Sequence, residues 1–173
     1  MSILRQIAQL GQPVLREPGR QIADPRDPAV QLIIDDMIAT VADANGVGIA
    51  APQIYESLAL FIIASRPNPR YPEAPEMVPV AMLNPELVRA SNETETGWEG
   101  CLSIPGIRAL VRRNRRIRVR YLNRAGDLRE EEYEGFLARI FQHEYDHING
   151  LVFLDRVDSR DIVTEKEYLR IVS

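Results

Sequence analysis

Apolar positions along the chain fall into two stretches at helical spacing and several at strand spacing. Val30, Ile33, Ile34, Met37, Ile38 and Val41 recur every three or four residues, which places them on one face of a helix. Asp27 and Pro28 open that helix as N-cap and first helical residue, and Asn45-Gly46 stops it, with Gly46 suited to the left-handed turn. Phe136, Leu137, Ile140, Phe141 and Ile148 mark a second helix over Phe136 to Ile148, closed by Asn149-Gly150. A short terminal helix is expected over Asp161 to Val172.

Between the helices the pattern is that of strands. Leu58 to Ala64 is a short apolar run, read as a buried strand. Residues 66–79 hold five prolines and form a loop. Val80 to Leu83 and Glu86 to Ala90 read as two short strands around Asn84-Pro85, and Arg108 to Val111 as another. Ile117 to Leu122 and Leu128 to Tyr133 form a hairpin around Asn123 to Asp127. Val152 to Leu154 is a last strand. The pattern predicts an α+β fold: a central helix packed against short, mostly antiparallel β-sheets, with residues 1–173 as a single domain.

Composition narrows the function. The chain has 173 residues, 45% apolar and 27% charged, as expected of one folded domain. A net charge of -4 and a pI near 5.3 argue against direct nucleic-acid binding. Arg112, Arg113, Arg115, Arg116, Arg118 and Arg120 form a basic stretch, and Arg116, Arg118 and Arg120 alternate with Ile117 and Val119, so it is read as the wet face of a strand. No apolar run reaches the ~20 residues that span a bilayer, so no membrane partner is expected. Met1 to Gly19 has neither the apolar core nor the cleavage site of a leader, and the lone cysteine has no disulfide partner within the chain; a reducing cytoplasm fits.

The rarest residues carry the chemistry. Both histidines lie in one window, His143-Glu144-Tyr145-Asp146-His147, within the predicted second helix. Positions four apart share a helix face, so two imidazoles can reach one metal ion, with Glu144 beside them as general base. A catalytic site of this type usually has three protein ligands. The third is Cys101, in the segment GWEGCLSIPG, or a downstream carboxylate such as Glu165 or Glu167, as in thermolysin-like peptidases. A non-catalytic metal-binding module would use the same ligands without needing Glu144.

Three segments in register resemble the peptide deformylase family: Gly46-Val47-Gly48-Ile49-Ala50-Ala51-Pro52-Gln53, Glu99-Gly100-Cys101-Leu102-Ser103 and Gln142-His143-Glu144-Tyr145-Asp146-His147. The resemblance runs from about Leu4 to Phe153. It implies removal of the formyl group from N-formylmethionine of nascent polypeptides, with release of formate. Cys101, His143 and His147 would hold the metal, and Glu144 would move the proton. The Gln53 amide and the Leu102 backbone N–H would stabilise the oxyanion. Val47, Gly48 and Gly100 would pair with the peptide main chain like an added strand. Phe136, Arg139 and Ile140, with Val47 and Leu102, would line the methionine pocket, the Arg139 stem on the wall and its guanidinium reaching water. The resemblance also implies iron(II) as the working ion, where the ligand set alone admits zinc, nickel or cobalt, in a bacterial cytoplasm or, in mature form, an organelle; the basic stretch leaves a transient ribosome contact open. Glu99 and Asp146 are candidate partners for the ligand imidazoles or for Arg108 and Arg113.

Overall fold

The computed structural model describes residues 2–172. Helix α1 spans Pro28–Asp43, with Asp27 accepting from the Ala29 N–H at 2.8 Å and Pro28 in the first turn. Asn45, not Gly46, takes the left-handed conformation that ends it, at φ 52. Asn tolerates this geometry because its short polar side chain bonds locally. Strand β1 (Gly48–Ala50) runs into a 3₁₀ turn over Ala51–Ile54, followed by β2 (Leu60–Ile63) and β3 (Val80–Ala90). Next come β4 (Thr94–Cys101), β5 (Ile104–Asn114), β6 (Arg116–Leu122) and β7 (Leu128–Glu134). Helix α2 covers Gly135–Ile148, and Gly150, at φ 74, turns the chain after it. A 3₁₀ turn at Phe153–Arg156, β8 (Ile162–Thr164) and helix α3 (Glu165–Val172) complete the order.

The strands form two antiparallel sheets, one ordered β1-β2-β3-β6-β7 and the other β4-β5-β8. The first sheet explains the uninterrupted apolar run at Leu60–Ile63. Phe61 and Ile63 pack against Ile140 and Phe141 of α2, while Leu60 and Ile62 pack against Ile34, Met37 and Val41 of α1. A strand covered on both faces has no polar side to alternate with. Phe61 meets Phe141 edge-on at 5.2 Å, fixing α2 over the sheet. A third cluster, with Cys101, Val111, Val152 and Phe153, ties the second sheet to the chain beyond α2.

Four further expectations need correction. Asn84-Pro85 does not divide two strands: β3 is continuous, with an irregularity between Leu83 and Glu86. Asn84 adopts φ 50 and exchanges two 2.8 Å hydrogen bonds with the Ile22 backbone, so the missing proline N–H falls in a bulge. Val152 to Leu154 is not a strand, because the Asp155 carboxylate accepts from the Val152 N–H and curls the segment into a 3₁₀ turn. The terminal helix begins at Glu165, since Ile162–Thr164 pairs with β5 instead. Arg113 is buried, unlike the rest of its basic run.

Arg116, Arg118 and Arg120 do face solvent, and β7 supplies ion-pair partners for Arg118 and Arg120, while Arg116 pairs with Glu93. The register sets Arg116 opposite Glu134, Arg118 opposite Glu132 and Arg120 opposite Glu130. Arg118 reaches Glu132 at 2.7 Å and Arg120 reaches Glu130 at 3.1 Å. Exposed pairs of this kind contribute little to stability.

Candidate metal centre

Helix α2 carries His143 and His147 one turn apart, with ring centroids 5.1 Å from each other. Gln142 fixes the helix at this depth: its Oε1 accepts from the Asn114 N–H at 3.0 Å and its Nε2 donates to the Asn114 carbonyl at 2.9 Å. Cys101, at the end of β4, brings its Sγ to 3.3 Å from His147 Nε2. The atoms of Cys101, His143 and His147 that could ligate an ion all lie within 4.8 Å of one another, and all three residues are buried. Glu165 and Glu167 sit on α3 and bond to Arg108 and Arg170, so neither joins this group.

The surrounding charges are arranged around the imidazoles. Glu99 Oε2 stands 2.9 Å from His143 Nδ1, which leaves Nε2 as the nitrogen free to ligate an ion. Glu99 also accepts from Arg113 at 2.9 and 3.0 Å and from Arg139 at 3.0 Å. Arg113 continues to Asp146 at 2.6 Å, and Arg156 closes the chain on the other Asp146 oxygen at 2.6 Å. Burial alone would raise the Glu99 carboxyl, but bonds from His143 and Arg113 outweigh it and hold the group well below the usual range. Burial, with positive charge at His143 and Arg113, pushes His147 well below its ordinary value and keeps it neutral. Burial also lowers His143, yet its bonds to Cys101 and Glu99 prevail and raise it.

Glu144 is buried, and its Oε2 has no hydrogen-bond partner. That burial pushes its pKa up to about 7. The residue lines a cleft together with Gln53, Val47, Gly48, Gly100, Leu102, Phe136, Arg139, Ile140, Cys101 and His143. Gln53 is held by its Oε1, which accepts from the Ala50 N–H at 2.8 Å, so its Nε2 points to Ser103 Oγ at 3.1 Å and Cys101 Sγ at 3.5 Å. One cysteine sulfur and two imidazoles, beside a buried carboxyl group with one unpartnered oxygen, are a donor set suited to one divalent transition ion.

The glycines of the motifs make room for these side chains. A Cβ on Gly48 would lie 2.5 Å from Glu144 Oε1, and one on Gly100 would lie 2.8 Å from Arg108 Nη1. Arg139 departs from expectation: its guanidinium does not reach water. It bonds to the carbonyls of Glu95 and Val111, both at 2.8 Å, as well as to Glu99. Cleft residues that sequence reasoning missed include Tyr71, from the proline-rich loop, and Arg108, from β5. Nothing local in the sequence marks either one.

Residues 4–162, which hold every one of these metal and cleft groups, match the family model described as polypeptide deformylase. The chain belongs to that family. It is 55% identical over 168 residues to peptide deformylase 2 of Nostoc sp., covering 96% of this chain and 94% of the relative. It is 49% identical to peptide deformylase 2 of Shewanella oneidensis over 87% of this chain and 82% of that one. Among solved structures, the class I type b peptide deformylase from Acinetobacter baumannii, bound to Met-Ala-Ser, superposes with a TM-score of 0.88 at 44% identity. That match covers 91% of this chain and all of the other. Family membership makes the chain a hydrolase that removes the formyl group from nascent polypeptides. It also confirms the α+β fold read from the sequence.

Proposed function

We propose that Cys101, His143 and His147 hold one divalent ion, and that Glu144, Gln53 and Leu102 carry out deformylation around it, with the 173-residue chain acting as a single catalytic domain. The observation that carries this reading is the convergence of three ligand atoms beside a buried carboxylate oxygen with no partner. A metal held there supplies Lewis acidity, making water a nucleophile near neutral pH. Glu144, poised near 7, takes a proton from the attacking water. The water oxygen bonds to the formyl carbon, and the carbonyl oxygen becomes an oxyanion facing the Gln53 amide and the Leu102 N–H. Glu144 then gives its proton to the departing amine as the C–N bond breaks, leaving formate and a free N-terminus.

The peptide main chain pairs along Val47, Gly48 and Gly100. Strands β1 and β4 lie at the margins of their sheets, and both Gly48 and Gly100 border the cleft, as pairing of this kind requires. The methionine side chain packs among Phe136, Ile140, Val47, Leu102 and the stem of Arg139. The Acinetobacter relative bound to Met-Ala-Ser carries a peptide beginning with that residue. Iron(II) is the ion we assign, with zinc, nickel and cobalt as substitutes the same ligands accept. The working place is the cytoplasm, in transient contact with the ribosome where new chains emerge.

Formate release from formyl-Met-Ala-Ser by anaerobically purified protein tests the reading, alongside Cys101→Ala and Glu144→Ala. The parent should be active and both variants inactive, with metal lost only from the Cys101 variant. A parent inactive with iron(II), nickel and zinc alike would overturn it.

A further inference from the structure

Arg108 joins the C-terminal helix to the wall of the cleft. It is a buried residue of β5, and its guanidinium lies flat against Gly100. Nη1 donates to the Tyr71 hydroxyl at 3.0 Å, and Nη2 donates to Glu165 Oε1 at 3.2 Å. The guanidinium carbon stands 5.6 Å from the ring centroid of Tyr71 and 5.1 Å from that of Tyr168. Two aromatic rings and one carboxylate therefore fix a group that would otherwise carry many rotamers. Tyr71 passes the contact inward, meeting the ring of Phe136 at 5.1 Å in the expected methionine pocket. On the other side, Tyr168 also rests on Trp98 of β4 at 5.3 Å, and β8 pairs Val163 with Arg108 itself. Glu165 and Tyr168 both belong to α3, outside residues 4–162 that match the family model.

We propose that α3 is a specificity element of the deformylase site. Docked through Glu165 and Tyr168, it fixes Arg108 beside Gly100 and steadies Tyr71, so it sets how tightly the residues following the formylated methionine are held. The inference rests on the peptide pairing along Gly100 proposed above. Released from α3, the Arg108 guanidinium gains rotamers that sweep across Gly100, where the peptide backbone must lie. Binding of longer peptides then suffers, while proton transfer at Glu144 does not.

The test compares formyl-Met-Ala-Ser with N-formylmethionine, which has no following residue, on the full-length metal-loaded protein. Tyr168→Ala should raise KM for the tripeptide about tenfold, the scale of one lost cation–π contact, with kcat within about twofold. Hydrolysis of N-formylmethionine should stay at the parental level. Tyr168→Phe keeps the ring face and should behave as the parent does. Glu165→Gln, at a half-exposed position that poses no threat to folding, should show the same split at smaller size. If Tyr168→Ala and Glu165→Gln both match the parent on the tripeptide, or if both substrates weaken equally, α3 only stabilises the fold and the proposal is wrong. A parent inactive on both substrates would instead overturn the functional reading, and this inference with it.

Discussion

The carboxylate of Glu99 holds the imidazole of His143 at 2.9 Å, and Arg113 and Arg139 hold the carboxylate in turn. The other imidazole nitrogen, the proposed ligand, is thus aimed by a buried chain anchored on β4, β5 and α2. Glu99→Gln keeps the shape but leaves two guanidinium groups short of charge. Metal affinity should fall about 10- to 100-fold, read by competition with a coloured chelator. Affinity equal to the parent's would mean that Glu99 serves folding alone.

Glu144 must be ionised to accept a proton, and burial holds its pKa at about 7. Activity should therefore rise with pH along an acid limb, and a divalent ion nearby, favouring the carboxylate, can only move that limb lower. The expected kcat/KM profile has its acid limb at or below about 7. Glu144→Gln should lose about 10²- to 10⁴-fold in kcat while retaining its metal. A limb well above neutrality would assign the proton to another group.

Gly48 touches the same carboxylate from the other side. Since an added Cβ would fall 2.5 Å from Glu144 Oε1 and 3.0 Å from Ile140 Cγ2, Gly48→Ala must displace one or the other. Turnover should drop at least about tenfold, because a catalytic group displaced by ~1 Å loses more than that. Metal content should not change. Parental kcat in Gly48→Ala would show that the cleft yields without moving Glu144.

Tyr121 and Tyr133 both donate their hydroxyls to Glu131 on β7. Burial and that bond raise Tyr121 to about 12, above its ordinary value of 10. Unfolded chains thus lose this proton at lower pH than folded ones. The stability it contributes is complete below pH 10 and is lost as pH climbs toward 12. Urea unfolding between pH 8 and 11 should show a steeper alkaline decline in the parent than in Tyr121→Phe. Equal slopes would remove Tyr121 from the account.

Both principal helices were legible because each announces itself locally, α1 by its Asp27-Pro28 start and both by apolar spacing. The Cys101, His143 and His147 group was legible as a candidate ligand set because two of the three sit four residues apart on such a helix. Strand β4 was not legible: Thr94–Cys101 is polar, with Gly97 and Gly100 in it. Those glycines admit Arg139 and Arg108, partners brought in by the tertiary fold. Arg113 looks no different from Arg112 or Arg115 in sequence. Its burial depends on Asp146, 33 positions away. Tyr71, Arg108 and Glu165 likewise meet only once three distant segments have folded together.

The two ends of the larger sheet differ in what they offer another chain. At one end β7 lines the margin with Glu130, Glu132 and Glu134, and exposed charged side chains discourage a further strand from adding there. At the other end β1 is three residues long, begins with a bare glycine and opens on the cleft. With the peptide pairing proposed above, an unfolded segment is turned away from the first margin and admitted at the second. An enzyme that works among growing, still unfolded polypeptides can thereby take hold of their first residues without becoming a template on which the rest of them aggregate.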